Sequence, residues 1–268
     1  MSIQSRGKAL ITGASSGIGA VYADRLAKRG YDLIVVARNK ERLEALAARL
    51  EQETGRKIEV VQADLTQRSG LARVEAILDV DPAVGFLVNN AGIGVGGTIL
   101  EADVEALDRM VQLNATAPMR LASAAARGMA ARGAGTIVNI ASVLALTPEL
   151  FNGVYSGTKA FLLNLSMSMQ NELTGKGVRV QAVLPGATRT EIWERAGVDV
   201  DGFPPEMVMS VDEMVDAALS GLDQGELITV PSLPDVKDWN AFETARIALK
   251  PNLSRSHAAE RYRSAHAA

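Results

Sequence analysis

The stretch ALITGASSGIGAVYADRLAKRG, residues 9–30, has the pattern of a buried strand, a glycine-rich turn and a helix. Gly13, Gly17 and Gly19 allow the backbone to turn sharply and to approach a bound group closely. The N-terminus of the following helix favours a phosphate group, because it presents unpaired N–H groups and the positive end of the helix dipole. The spacing therefore predicts a dinucleotide pyrophosphate site, although a strand-to-helix turn that binds nothing can also require glycine.

Seven short apolar runs alternate with helical patterns along the chain. In the segment 39–55, Leu43, Leu46, Ala47 and Leu50 recur at the spacing of an amphipathic helix. This alternation predicts βαβ units and a parallel sheet in a single α/β domain over residues 1–231. We expect a C-terminal extension over 232–268, with a short helix around Trp239–Leu249 and an irregular tail. The expected strands are KALIT 8–12, DLIVVA 32–37, IEVVQA 58–63, GFLVNN 85–90, GTIVNIA 135–141, VRVQAVL 178–184 and ELITV 226–230.

Composition narrows the class of protein. The chain has 268 residues and a formal net charge of −3, so no global basic field favours nucleic acid or an anionic membrane. No apolar run approaches the ~18 residues of a membrane span, and the N-terminus lacks the apolar core of a signal peptide. Cysteine is absent, and His257 and His266 are the only histidines. We expect a cytoplasmic protein that uses no metal.

The second strand ends in VVARN, residues 35–39. In dinucleotide-binding folds an acidic residue near this point hydrogen-bonds the adenosine ribose, whereas an arginine accommodates a 2′-phosphate. Arg38 stands here and no Asp or Glu is nearby, which favours NADP(H) over NAD(H). A solvated arginine at the start of a helix is the ordinary alternative.

The stretch NGVYSGTKAFLL, residues 152–163, places Tyr155 and Lys159 on one face of a helix. A nearby ammonium favours the phenolate, so Lys159 is expected to lower the pKa of Tyr155 below its usual value of about 10 and to make it an acid/base group. Ser142 follows the fifth strand, at the sheet edge where ligands bind, and its hydroxyl can hydrogen-bond a carbonyl oxygen. A half-buried tyrosine, a surface lysine and a turn-forming serine are the structural alternatives.

Pro118 interrupts the helical pattern of residues 104–130. Proline has no N–H to donate to the carbonyl four residues back, which belongs to Asn114. A local kink would leave that carbonyl free to hold a water and to support a proton relay through Lys159 to Tyr155. An ordinary proline kink is the alternative.

Six segments resemble the short-chain dehydrogenase/reductase family in their order and spacing: TGASSGIG 12–19, NNAG 89–92, LNAT 113–116, NIAS 139–142, YSGTK 155–159 and PGATRT 185–190. The C-terminal part, from GELITVPSLPD 225–235, resembles the DltE-like NADP-dependent branch. The resemblance implies a Rossmann-type, doubly wound parallel sheet of seven strands flanked by helices, with a nicotinamide cofactor. It implies that Tyr155 is the general acid/base, that Lys159 binds the nicotinamide ribose, that Ser142 binds the substrate oxygen, and that Asn114 completes the set.

The resemblance also implies the binding residues. Cofactor contacts are expected at Gly13, Ser15, Ser16, Gly17, Ile18, Gly19, Arg38, Asp64, Leu65, Asn90, Ala91, Gly92, Tyr155, Lys159, Pro185, Gly186, Thr188 and Thr190. A substrate lid is expected at about 188–211, and its apolar residues predict a largely apolar ketone or secondary alcohol. Substrate contacts are expected at Ser142, Leu144, Leu150, Tyr155 and Trp193, with Leu146 and Met209 also in the enclosure. A homo-oligomer, formed through the helices that carry Asn114 and Tyr155, is implied as well.

Three alternative interpretations remain open at this point. GASSG, residues 13–17, matches a hydrolase nucleophile motif centred on Ser15, but only a histidine in the tail could serve it. GIGVGG, residues 92–97, matches a second nucleotide motif, which we interpret as a flexible loop on the substrate side. A dinucleotide-binding regulatory or scaffold protein would retain the fold without turnover.

Overall fold

The computed structural model describes residues 6–263, and these form one all-parallel sheet of seven strands in the order β3-β2-β1-β4-β5-β6-β7. The order reverses between β1 and β4, and ligands bind at such a reversal, at the carboxyl ends of the strands. The predicted Rossmann-type doubly wound fold is therefore confirmed. The strands are β1 Lys8–Thr12, β2 Asp32–Ala37, β3 Ile58–Gln62, β4 Val84–Asn89, β5 Gly135–Ile140, β6 Val178–Val183 and β7 Ile228–Thr229.

Helices cover both faces of the sheet. Alternation along each strand sends neighbouring side chains to opposite faces, so Leu10 and Ile11 of β1 lie in two different core clusters, and both are fully buried. The predicted amphipathic helix packs into the same cluster as Ile11 through all four of its expected apolar residues. The helices of the unit that contains the sheet are α1 Gly17–Lys28, α2 Lys40–Thr54, α3 Arg68–Val80, α4 Val104–Val111, α5 Ala117–Arg132, α6 Gly153–Leu173, α7 Ile192–Arg195 and α8 Val211–Asp223; α9, Val236–Ala248, lies in a separate unit described below.

The last strand is shorter than its apolar run predicts. Only Ile228 and Thr229 of the ELITV run pair with β6. The run begins while the chain is still turning out of α8, where the N–H of Glu226 donates to the carbonyl of Gly221. Pro231 follows, and it cannot donate to a strand ladder.

The chain divides into two compact units, the first ending at Pro231 and the second beginning at Ser232. The second unit contains α9, close to the helix predicted around Trp239–Leu249, and two short 3₁₀ turns follow it. Asp235 caps α9 by accepting a hydrogen bond from the Lys237 N–H at 2.9 Å. Among residues 6–263 no helix is both long and apolar enough to cross a membrane.

Candidate active site

The glycine turn after β1 is built against the segment that follows β4. A β-carbon on Gly13, which has φ +68°, would lie 2.8 Å from the Asn90 side-chain nitrogen, and one on Gly19 would lie 2.4 Å from the Gly13 carbonyl. Asn90 Nδ2 donates to the Thr12 carbonyl at 2.9 Å, and the Asn90 and Ala91 N–H groups both donate to Thr12 Oγ1 at 3.0 Å. Glycine is needed here because two segments of backbone approach closely.

The helix that follows this turn has a free N-terminus. Ser16 is the N-cap residue of α1 in an extended conformation, and its side chain makes no capping hydrogen bond to the helix. The first N–H groups of α1 are therefore available to an anion. This arrangement fits the pyrophosphate that the sequence predicts at Gly13–Gly19.

Two arginines lie at the end of β2. Arg38 is exposed and lines the cavity, and Asn39 caps α2 through a 2.9 Å hydrogen bond from the Arg42 N–H. Arg42 also lines the cavity, and it pairs with Glu191 at 2.8 Å, from the opposite wall. Glu191 receives a second ion pair from Arg195. The ion pair between Arg42 and Glu191 thus joins the two walls of the cleft, and Arg38 faces the same cavity.

Tyr155, Lys159 and Ser142 converge at the carboxyl edge of β5. Lys159 is 5% exposed, its Nζ donates to the Ile140 carbonyl at 2.9 Å, and it lies 5.5 Å from the centre of the Tyr155 ring. Ser142 Oγ accepts the Leu144 N–H at 3.2 Å, which leaves its own O–H to donate. The site thus combines a phenol, an ammonium and a hydroxyl that can donate to the phenol oxygen.

The expectation that Lys159 lowers the pKa of Tyr155 is wrong for the protein alone. Burial raises the pKa of Tyr155 to about 12, and the Ser142 hydroxyl opposes that rise. Burial also lowers the pKa of Lys159 to about 8. The physical reason is that a dry site disfavours the charged form of either group, and the Lys159 ammonium is directed to a backbone carbonyl.

Asn114 lies in a turn of π-helix, Gln112–Thr116, between α4 and α5. The Ala117 N–H donates to the Gln112 carbonyl, five residues back. Proline cannot continue the α-helical ladder at position 118, and a π turn is one way in which a helix accommodates an interrupted bond. The Asn114 side chain is fully used, since its Oδ1 accepts the Ile93 N–H at 2.9 Å and its Nδ2 donates to the Ile93 carbonyl at 2.8 Å.

Three aromatic rings continue from the Tyr155 phenol as a chain of edge-on contacts. Phe151 lies edge-on to Tyr155 at 5.5 Å and to Trp193 at 6.3 Å, and Trp193 lies edge-on to Phe203 at 5.3 Å. Trp193 is fixed by a 2.8 Å hydrogen bond from its indole N–H to the Thr188 carbonyl. This chain connects the lid to α6, and it gives the substrate side of the site an aromatic wall.

One cavity of about 1140 Å³ contains most of the predicted site. Two predicted site residues lie outside its lining: Gly19 packs on the Gly13 backbone, and Asn114 faces Ile93. Leu146 and Met209 are also absent from the lining, because Leu146 points outward and Met209 packs on the core. Within residues 6–263 no group of three or more His, Asp or Glu side chains could hold a metal. The predicted residues that line the cavity are Gly13, Ser15, Ser16, Gly17, Ile18, Arg38, Asp64, Leu65, Asn90, Ala91, Gly92, Ser142, Leu144, Leu150, Tyr155, Lys159, Pro185, Gly186, Thr188, Thr190 and Trp193.

Sequence reasoning missed several residues of the lining, chiefly Asn39, Arg42, Thr66 and Gln67. Arg42 had a usable signal, because an asparagine N-cap at position 39 places residue 42 in the first helical turn, beside the end of β2. For Thr66 and Gln67 the sequence gives no indication of a place in the cavity lining beyond their position after β3.

Comparison with known proteins agrees with this geometry. The family model for short chain dehydrogenases matches residues 7–200. A short-chain dehydrogenase from Sphingobium yanoikuyae, solved with NADPH, is 50% identical, with a TM-score of 0.93 over 96% of this chain and 100% of that one. A bulky-bulky ketone specific alcohol dehydrogenase from Comamonas testosteroni is 48% identical, with a TM-score of 0.90 over 97% and 100%.

A curated relative extends the comparison. The serine 3-dehydrogenase of Agrobacterium fabrum is 37% identical over 187 residues, which are 69% of this chain and 73% of that protein. The family model and these similarities extend over most of the chain, and the glycine turn and the Ser142, Tyr155 and Lys159 cluster lie within the matched region. The chain therefore belongs to the short-chain dehydrogenase family.

Proposed function

We propose that this protein is an NADP(H)-dependent oxidoreductase that transfers a hydride between the nicotinamide and a ketone or secondary alcohol with large, mainly apolar substituents. The observation that carries the proposal is the single cavity that joins Arg38 and the glycine turn to Ser142, Tyr155 and Lys159. The NADPH complex of the Sphingobium relative supports the cofactor. The ketone specificity of the Comamonas relative, together with the aromatic wall, supports the substrate class.

The residues of the cleft fit such a cofactor. The uncapped N-terminus of α1 suits the pyrophosphate, and Arg38 suits the 2′-phosphate. Asp64 and Leu65 line the same cavity, which supports their assignment to the adenine end of the cofactor. When bound, the cofactor supplies or accepts the hydride. The protein's own part is to bind the substrate oxygen, to handle its proton and to exclude water.

Tyr155 holds the proton that the reaction moves. Its pKa of about 12 keeps the phenol protonated at neutral pH, the form needed to protonate the oxygen of a ketone that is being reduced. The O–H of Ser142, which faces the Tyr155 phenol in the protein alone, donates to the substrate oxygen when substrate is bound and stabilises the negative charge that develops there. The ammonium of Lys159 then stabilises the tyrosinate that remains.

Asn114 supports this arrangement from behind. Both ends of its amide hold the backbone of Ile93, next to Gly92 on the floor of the cavity. The Asn114 carbonyl, a water and Lys159 form the relay that returns a proton to Tyr155. Two copies of the protein associate through α5 and α6, and the exposed apolar side chains of Met119 and Phe161 on these helices support that association.

The test begins with nucleotide binding. NADPH and NADH are titrated by nicotinamide fluorescence against the wild type, Arg38→Asp and the control Lys40→Asp, a charge reversal two residues away. We expect Arg38→Asp to weaken NADPH binding about a hundredfold, as loss of a charge-assisted bond with added repulsion implies, and to leave NADH binding nearly unchanged.

Turnover is then measured on diaryl and dialkyl ketones. We expect Tyr155→Phe to retain NADPH binding and to lose activity by about a thousandfold or more, within the range of general acid catalysis. Failure of the wild type to bind either nucleotide would overturn the proposal. Tight binding without turnover of any ketone or alcohol would favour a regulatory protein instead.

A further inference from the structure

The second glycine-rich segment, GIGVGG at residues 92–97, lies against the lid. A β-carbon on Gly94 would contact the Ala196 β-carbon at 3.4 Å, and one on Gly96 would lie 2.3 Å from the Ala196 carbonyl oxygen. Gly96 does not have a left-handed backbone, so glycine is required there by the approach of the lid and not by the turn itself. Ala196 directly follows the lid helix α7.

The far end of the same segment is tied to the catalytic helix. Asn152 Nδ2 donates to the Gly97 carbonyl at 2.9 Å. Asn152 is also the N-cap of α6, because its Oδ1 accepts the N–H groups of Val154 at 2.9 Å and Tyr155 at 3.3 Å. One buried amide therefore links the glycine segment to the backbone of the proposed acid/base residue.

We infer that α7 packs on residues 94–97 when the lid is closed, and we call these residues the seat. Gly96 and Asn152 are then positioning residues, because they couple the position of the lid to the position of Tyr155. The inference rests on the proposed function for the role of Tyr155. The aromatic chain runs parallel to this link, since Trp193 of α7 meets Phe151, which precedes Asn152. A displaced lid would thus disturb the substrate wall and the acid/base residue together.

The first test uses Gly96→Ala, with Gly202→Ala as its matched control. Gly202 lies in the lid, outside the left-handed region, and a β-carbon there would meet nothing within 4 Å. Hydrogen–deuterium exchange of the nucleotide-free protein reports α7 without reference to activity. We expect Gly96→Ala to speed exchange in residues 192–198 about tenfold, because a shift of the Ala196 carbonyl opens the short helix, and Gly202→Ala to match the wild type.

Kinetics give the second readout. Accommodating the new methyl group moves the lid by about 1 Å, and a displacement of that size can cost about a hundredfold in kcat/KM. We expect that loss for ketone reduction by Gly96→Ala.

Asn152→Ser isolates the second half of the link. Serine can still cap α6, but it has no amide to reach Gly97. Loss of that one buried hydrogen bond is expected to lower the thermal midpoint by only about 2–4 °C, while kcat falls about five- to tenfold. Asp103→Ser, a cap substitution on α4 that is distant from Tyr155 in sequence, controls for altered capping and should leave kcat unchanged.

These experiments distinguish failure of the seat from failure of the proposed function. Unchanged exchange in Gly96→Ala would overturn the seat, whether or not the wild type reduces a ketone. If Gly96→Ala alters the exchange of α7 but Asn152→Ser has the kcat of the wild type, the link from the seat to Tyr155 is wrong. Absence of turnover in the wild type alone would count against the proposed function and would leave the exchange result to decide the seat.

Discussion

Lys159 is predicted to lower the stability of the fold at neutral pH. Its side chain is 5% exposed, and burial lowers its pKa to about 8 from an ordinary value of 10.5. The unfolded chain therefore binds more protons than the folded protein between about pH 8 and 10.5, so the free energy of unfolding rises with pH across that window. The buried ammonium costs about 3 kcal/mol at pH 7 and about 1 kcal/mol at pH 10, by the linkage between pKa and stability.

Lys159→Met removes this cost. Methionine fills the volume of the lysine stem without a charge. It also gives up the hydrogen bond to the Ile140 carbonyl, a loss of about 1–3 kcal/mol. A neutral amine still carries N–H donors, so this loss is treated as a constant offset across the window. The pH-dependent part is therefore the cleaner quantity. We expect the stability of the variant relative to wild type to fall by about 2 kcal/mol between pH 7 and pH 10.

The assay is urea unfolding of nucleotide-free protein, followed by circular dichroism at half-unit intervals of pH. Equal m-values in the two proteins are required for the comparison. Lys176→Met, which replaces an exposed lysine beyond the end of α6, controls for the loss of a surface charge. Curves for Lys159→Met and wild type that stay parallel from pH 7 to pH 10 would refute the assignment of a buried, weakly basic amine.

Three further predictions follow from other contacts. Asn139→Ala should lower the free energy of unfolding by about 2–3 kcal/mol in urea, because Asn139 accepts from Asn89 and donates to Ser166 with all three side chains buried; equal stability would contradict a buried network. Gly13→Ala should weaken NADPH binding about tenfold more than the control Gly55→Ala. Both glycines have a positive φ, but a β-carbon on Gly13 would meet Asn90, whereas Gly55 has open space around it. Equal NADPH affinities in the two variants would show that φ alone matters. Reduction of diaryl ketones should fall above about pH 8, where Lys159 loses its proton, and Lys159→Arg should move that break upward because a guanidinium stays charged; a break that does not move belongs to another group.

Local apolar patterns in the sequence predict most of the fold. The first two strands match their apolar runs in full, and the four predicted apolar residues of α2 are buried, because alternation and helical spacing act over a few residues. Contacts between segments that are distant in the sequence could not be predicted from local pattern. The ion pair between Arg42 and Glu191 joins residues 149 positions apart, and the need for glycine at position 96 comes from a carbonyl one hundred positions away.

The protonation states of the site show the same limit. Spacing alone placed Lys159 beside Tyr155 and predicted a lowered phenol pKa, but spacing carries no information on how dry the site is. Burial instead moves the pKa of Tyr155 up to about 12 and that of Lys159 down to about 8. The ammonium is then the stronger acid of the two, so after Tyr155 has given its proton to a substrate, transfer of a proton from Lys159 back to the tyrosinate is energetically downhill. At neutral pH the Tyr155 phenol is therefore protonated and ready to donate to a ketone oxygen, and the order of the two pKa values allows Lys159 to reprotonate it in the proposed relay.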